Sequence, residues 1–434
     1  MKKEVKTSVD GLQVGMYVAR LDRPWLKTSF ALQGLAIRSK EDIERLRKVC
    51  NYVYVDTEQG DSPDPRFWIV REGTRKYGAP PTSSGSPKET PGKATDSKKT
   101  DNVFTRLRTK IYQDVKPIKE EMQAAQDAHV RLQEDLTQAM GDLRNSRDLD
   151  IDALNKSISV VVNSIIRAPG AMMLVIKLKQ FDDTTYSRAL GTSVWCATFG
   201  RHLGLEKSAI EQLALGGLLL DIGKSDVPVE LLRKPGKLTE EEFAILRKHV
   251  DQGVRLLSRS SVSAKPGDRL PREVLQMVAT HHERANGNGY PQGLMNDEIP
   301  MFGRIAGIVD SFDAMTNPRH YSDDDPMSPH AAINELYDLR GTLFQAELVE
   351  QFIQTVGLYP TGSLVELSNG EVGAVIAING LRRLRPTVML LLDSNKEPLE
   401  HFRLVDLSET DDSLSVTGAL PYGAYGIDMK EVFL

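Results

Sequence analysis

The pattern of apolar and polar positions changes period several times along the chain. Near the N-terminus the short runs MYVAR (16–20), GLAIR (34–38) and YVYVD (52–56) predict strands. Between the last two, Ser39 stands where a helix cap belongs, ahead of the amphipathic run 39–48, SKEDIERLRK. A small α/β unit follows from this pattern, without a catalytic cluster. The stretch 79–101, APPTSSGSPKETPGKATDSKKTD, lacks the apolar residues needed to offset the entropy of ordering, so it predicts a linker.

Beyond the linker, Ile118, Met122, Ala125, His129, Leu132, Leu136, Ala139 and Leu143 alternate spacings of four and three and share one helical stripe. Two readings fit: a dimerising coiled coil with His129 as its polar register residue, or an amphipathic helix packed on its own domain. From about 149 to 357 helical patterns alternate with short polar breaks, Gly204 supplying a helix stop and Thr239 with Glu242 a capping box before FAILRKHV. Past Pro360 the period shortens: GSLVELS, the turn pair Asn369-Gly370 and EVGAVIAI predict a hairpin, and RPTVMLLLD a further strand. The expected division is 1–72, a small α/β module; 73–101, a linker; 102–148, a helical connector; 149–357, an all-α domain; and 358–434, a small β domain.

At 434 residues the chain is too long for one ordinary core, and 40% hydrophobic with 26% charged residues is the balance of a globular protein. A net charge of −5 offers no global attraction to nucleic acid or anionic lipid, so a phosphate ligand needs a local cationic pocket and the expected partner is small. Cys50 and Cys196 lie far apart, which supports neither a disulfide framework nor a zinc ribbon and predicts two buried thiols. No signal-peptide core and no apolar run of membrane length is present, so the expected location is the cytoplasm.

Histidine is scarce, with eight in the chain, yet His249, His281 and His282 fall in the predicted helical domain together with Asp221 and Asp310. Imidazole and carboxylate are the ligands of iron, manganese or zinc when the ion must also hold water. One histidine alone is more often a structural residue. The surrounding sequence changes that balance: LLLDIGKSDVP at 218–228, HHERANGNGYP at 281–291 and IVDSFDAMTNPRHY at 308–321.

With these motifs the chain resembles the HD-GYP domain proteins, helical metal-dependent phosphodiesterases that hydrolyse the bacterial second messenger cyclic di-GMP. The resemblance spans about 182–357, HHExxxGxGYP being its most specific signature. The run GMYVARLDRPWLKTSF at 15–30 resembles the module that often precedes such domains. It implies a mainly α fold, an all-helical HD-type phosphohydrolase domain between small N-terminal α/β and C-terminal β domains. It also implies a signalling role with cyclic di-GMP or a related dinucleotide as ligand; the coiled-coil reading of the connector adds a homodimer.

Residue by residue, one of the family's two metal sites is intact: Asp221, His249, His281 and His282 match its ligands. The other is not. Arg188 stands where the early histidine belongs, Thr184 where some members carry a glutamate, and Leu220 in place of the HD histidine, leaving Asp221 and Asp310. The expected cofactor is therefore one divalent transition metal, iron or manganese. If Arg188 points inward, its guanidinium can sit between Asp221 and Asp310 and keep the charge balance without the Lewis acidity; the other reading has it facing solvent.

Asp221 and Lys224 are the catalytic candidates, Lys224 as a point charge for a phosphoryl oxygen. Arg319 is placed for a bidentate phosphate contact, and Gly287, Gly289, Tyr290 and Pro291 for a tight rim, with Tyr290 packing or stacking. Asn286 and His320 depart from the family's usual aspartate and proline. Three functions remain open: a phosphodiesterase weakened by the missing imidazoles, a non-catalytic cyclic di-GMP sensor, and a protein-interaction scaffold.

Overall fold

The computed structural model describes residues 4–22, 35–37, 39–57, 60–69, 110–145, 147–179, 186–234, 236–263, 269–317, 326–378, 382, 384–411, 413–428 and 432. The expected linker, Thr184, Arg319 and His320 lie outside them. Contacts divide the chain into two units, 1–101 and 102–434.

The first unit is an antiparallel sheet of β1 (Glu4–Ser8), β2 (Tyr17–Leu21), β3 (Leu35–Ala36) and β4 (Tyr52–Asp56) in the order β1-β4-β2-β3. Strand β4 alternates, burying Val53 and Val55 and leaving its tyrosines at the surface side. Helix α1 (Lys40–Val49) begins at the expected Ser39, which forms a capping box with Asp42 and so satisfies the first free backbone N–H groups. Its Ile43 and Leu46 complete the core with Met16 and Val18.

The second unit opens with α2 (Ile118–Arg144), α3 (Ile151–Arg167) and α4 (Pro169–Lys179). The stripe at Ala125, His129, Leu132, Leu136 and Ala139 is buried, and α2 packs on α3 and α4. The seam is thus covered within the chain, as in the second reading of that pattern. Buried Glu121 on α2 accepts Arg167 Nε at 3.0 Å, fixing the helix pair by a charge-assisted bond.

Helices α5 (Ser187–His202) and α6 (Lys207–Leu219) pack closely, because at Gly217 a Cβ would come within 3.0 Å of Ser193 Cα. Then follow α7 (Val229–Leu232), α8 (Glu240–Arg247), α9 (His249–Ser263), α10 (Arg272–Thr280), α11 (Met301–Thr316), α12 (Pro329–Leu339) and α13 (Ala346–Val356). The predicted Thr239–Glu242 capping box starts α8. Edge-to-face contacts of Trp195 with Phe312 at 5.3 Å and of Phe199 with Phe352 at 5.2 Å join α5, α11 and α13 beneath the site. Cys196 is buried in this core and Cys50 in that of the first unit, both as thiols.

The chain closes with β5 (Leu364–Leu367), β6 (Val372–Ala377), β7 (Thr387–Leu392), β8 (Pro398–Asp406) and β9 (Val416–Leu420), an antiparallel sheet ordered β8-β7-β6-β5-β9. Asn369-Gly370 makes the hairpin turn, with Gly370 at φ +84°. Lys177 of α4 is buried with its Nζ 3.5 Å from the Tyr422 hydroxyl, and burial pushes its pKa down to about 8. Among the described residues no single helix is long and apolar enough to cross a membrane.

Candidate metal centre

Asp221 sits where α6 gives way to a 3-10 turn over Ile222–Asp226. That turn lies against the start of α9 because residue 223 is glycine: a Cβ there would fall 2.0 Å from the His249 carbonyl oxygen. The close approach brings Asp221 beside His249, the first residue of α9, with His249 Nε2 3.3 Å from Asp221 Oδ1. His281 and His282 follow the last turn of α10, and His281 Nε2 is 4.0 Å from the same carboxylate oxygen. One ligand atom from each of Asp221, His249, His281 and His282 lies within 4.8 Å of the others.

Local bonds aim the imidazoles. Nδ1 of His249 bonds the Leu246 carbonyl at 2.7 Å, and Nδ1 of His281 the Val278 carbonyl at 2.8 Å. This places the N–H on Nδ1 and the lone pair on Nε2. Both Nε2 atoms are buried without a hydrogen-bond partner. Burial pushes His281 down to about 4 and His282 well below its ordinary value, so both are neutral near pH 7. Neutral imidazoles with unpartnered lone pairs beside an ionised carboxylate suit a divalent cation. Burial alone would raise Asp221, but Lys224, with Nζ 2.6 Å from Oδ2, and Arg188 hold it well below the usual carboxylate range.

Beside this cluster the arrangement differs. Leu220 is buried at the end of α6 and brings no ligand atom. Arg188, in the first turn of α5, points inward: Nη2 donates to Asp310 Oδ1 and Nε to Asp313 Oδ2, each at 2.9 Å. The guanidinium thus forks between Asp310 and Asp313, and its charge also acts on Asp221, as expected. Residues three apart on α11 share a face, and Lys224 already holds Asp221. Asn317 Nδ2 also donates to Asp313 Oδ1 at 2.7 Å. Burial still pushes Asp313 up to about 6, against the pull of Arg188 and with the push of Asp310.

The 281–291 motif forms a tight loop. Buried Glu283 accepts backbone N–H bonds from Gln292 at 2.7 Å and Leu294 at 3.0 Å. Gly289 lets the loop fold back, since a Cβ there would meet Arg284 N at 2.3 Å. Arg284 donates from Nη1 to the carbonyls of His281 and Glu283. Tyr290, followed by a cis bond to Pro291, stacks on His282 at 4.6 Å between centroids. Gly287 takes φ +77°, and Asn286 receives Asn288 N at 3.1 Å. Asp313, Glu283 and Arg284 were not among the residues singled out from sequence, although Asp313 stands three positions after Asp310.

Residues 171–348 match the HD domain family, residues 4–154 a domain of unknown function, DUF3391, and residues 364–416 the KOW domain associated with HD domains. This defines the class, an HD-type helical domain between two accessory modules. Residues 171–348 are an HD domain, and together with the accessory modules and the relatives they support an HD-GYP domain protein. The chain is 28% identical over 424 residues to a cyclic di-GMP phosphodiesterase of Pseudomonas aeruginosa, covering 96% of this chain and 92% of that one. It is 40% identical over 153 residues to a cyclic di-GMP phosphodiesterase of Thermotoga maritima, covering 35% of this chain and 39% of that one. To a 3'3'-cGAMP-specific phosphodiesterase of Vibrio cholerae it is 37% identical over 162 residues, covering 37% and 30%. The chain thus spans nearly all of the first relative and about a third of the other two.

Proposed function

We propose that this chain is a cyclic di-GMP signalling protein that binds the dinucleotide at a one-metal HD site and hydrolyses it slowly or not at all. Asp221, His249, His281 and His282 hold one divalent ion, iron or manganese, which supplies Lewis acidity at a phosphoryl oxygen. Lys224 keeps Asp221 ionised and offers charge to the phosphate at the metal, Tyr290 and Pro291 with Gly289 shape the rim, and Arg319 makes a bidentate contact to that same phosphate.

What carries the reading is the Arg188 fork. Asp310 is matched by a guanidinium at 2.9 Å, and Leu220 offers no imidazole, so the position of the second ion has a fixed positive charge without Lewis acidity. Charge balance survives while half of a two-metal clamp is gone. Losing a few kcal/mol of transition-state stabilisation costs orders of magnitude, at ~1.4 kcal/mol per tenfold. A working phosphodiesterase is the second reading, favoured by the near full-length likeness to the Pseudomonas protein bearing that name.

The test is hydrolysis of cyclic di-GMP by protein loaded anaerobically with iron or manganese, with bound metal counted in the same sample. One metal and no product supports the sensor. Turnover equal to that of a two-metal enzyme establishes the second reading. Arg188→His with Leu220→His should bring in a second ion and raise turnover.

A further inference from the structure

Tyr290 packs against His282 and against exposed Arg247, so its contacts run from the site to the surface. His282 lies against it at 4.6 Å and 27°, and the Arg247 guanidinium carbon is 4.5 Å from the same ring centroid. Phe243, one turn earlier on α8, meets Tyr290 edge-on at 5.9 Å and is 42% exposed. Arg247 is also exposed.

Among the described residues the other cations nearby each have an acid or a carbonyl as partner. Arg188 serves Asp310 and Asp313, Lys224 serves Asp221, Lys234 serves Glu242, and Arg284 is turned to backbone carbonyls. Arg247 has no ion pair and no hydrogen bond among the described residues; it is held by its ring contacts. A cation–π contact uses the face of the guanidinium and leaves its in-plane N–H donors free, the donors that fit a phosphodiester bidentately. A cyclic dinucleotide carries two phosphodiesters, and a single metal site engages one of them.

We propose that Arg247 is a substrate-positioning residue that takes the phosphodiester not held at the Asp221–His249–His281–His282 site, one aromatic ring further out than His282. This rests on the cyclic dinucleotide reading above. Tyr290 is then a spacer that fixes how far apart the two phosphates are gripped, and the contact favours cyclic over singly charged dinucleotides.

The experiment is calorimetric titration of metal-loaded full-length protein with cyclic di-GMP and with GpG, which has the same bases and one phosphodiester. Arg247→Gln should weaken cyclic di-GMP binding roughly tenfold, the scale of one charge-assisted contact, while leaving GpG affinity and metal content unchanged. Arg247→Lys should recover part of the loss. Unchanged cyclic di-GMP binding in Arg247→Gln, or an equal loss for both ligands, overturns the assignment. A wild-type protein that binds neither ligand overturns the proposed function itself.

Discussion

Arg188 Nε donates to Asp313 Oδ2 at 2.9 Å, while the other arm of the same guanidinium holds Asp310. Both carboxylates are nearly buried and Arg188 is 32% exposed. Removing the arginine strands two acids in a poorly solvated place. Arg188→Ala should therefore cost about 2–4 kcal/mol, the range for a broken buried pair reduced for partial exposure. Chemical denaturation measures it, and a loss below about 0.5 kcal/mol would show that the fork is not holding the carboxylates.

Asp313 gives stability a pH signature. Its folded pKa is raised from 3.8 to about 6, so between those values the folded state holds the proton more tightly than the unfolded chain. Stability from this group is present below pH 4 and declines as pH rises through 6, by at most about 3 kcal/mol. His281 acts oppositely: lowered to about 4, it costs stability as pH falls from 6.5. The difference between wild type and Asp313→Asn isolates the first effect. Unfolding free energies at pH 4.5 and 7 should fall more steeply with pH in wild type than in the variant.

Metal should act as a folding ligand. With Mn²⁺ at a hundred times its dissociation constant, the native state gains about 2.7 kcal/mol, lost on chelation. His249→Ala should abolish the metal-dependent shift in melting temperature. A shift that persists in this variant would place the ion elsewhere.

Glu283 ties the rim loop through Gln292 N and Leu294 N. Glu283→Ala leaves those donors without their acceptor and should cost roughly 3 kcal/mol. Amide exchange at Gln292 and Leu294 should quicken in the variant, with exchange in strands β5 to β9 unchanged.

Much of this was legible because local rules and tertiary structure agree. Ser39, Thr239 and Gly370 are caps and a turn whose chemistry is contained within a few residues. The four-ligand cluster was legible through the motif around it. What escaped depends on orientation across the fold. Arg188 was expected beside Asp221 and Asp310, and its added partner Asp313 is set by helical phase on α11, which the motif alone does not show. Strands β1, β8 and β9 lack a clear alternation, and their pairing comes from neighbouring strands. Arg247 carried no motif of its own, and only its packing on Tyr290 distinguishes it.

Helix α2 is a strut of 27 residues, ~40 Å long, clamped along its length by α3 and α4. At its far end Arg144 Nη2 reaches the Tyr186 hydroxyl at 3.4 Å, and Tyr186 caps the helix whose first turn carries Arg188. One hydrogen bond thus ties the C-terminal end of α2 to the residue that precedes the helix bearing Arg188, so the two helix ends share a single polar anchor.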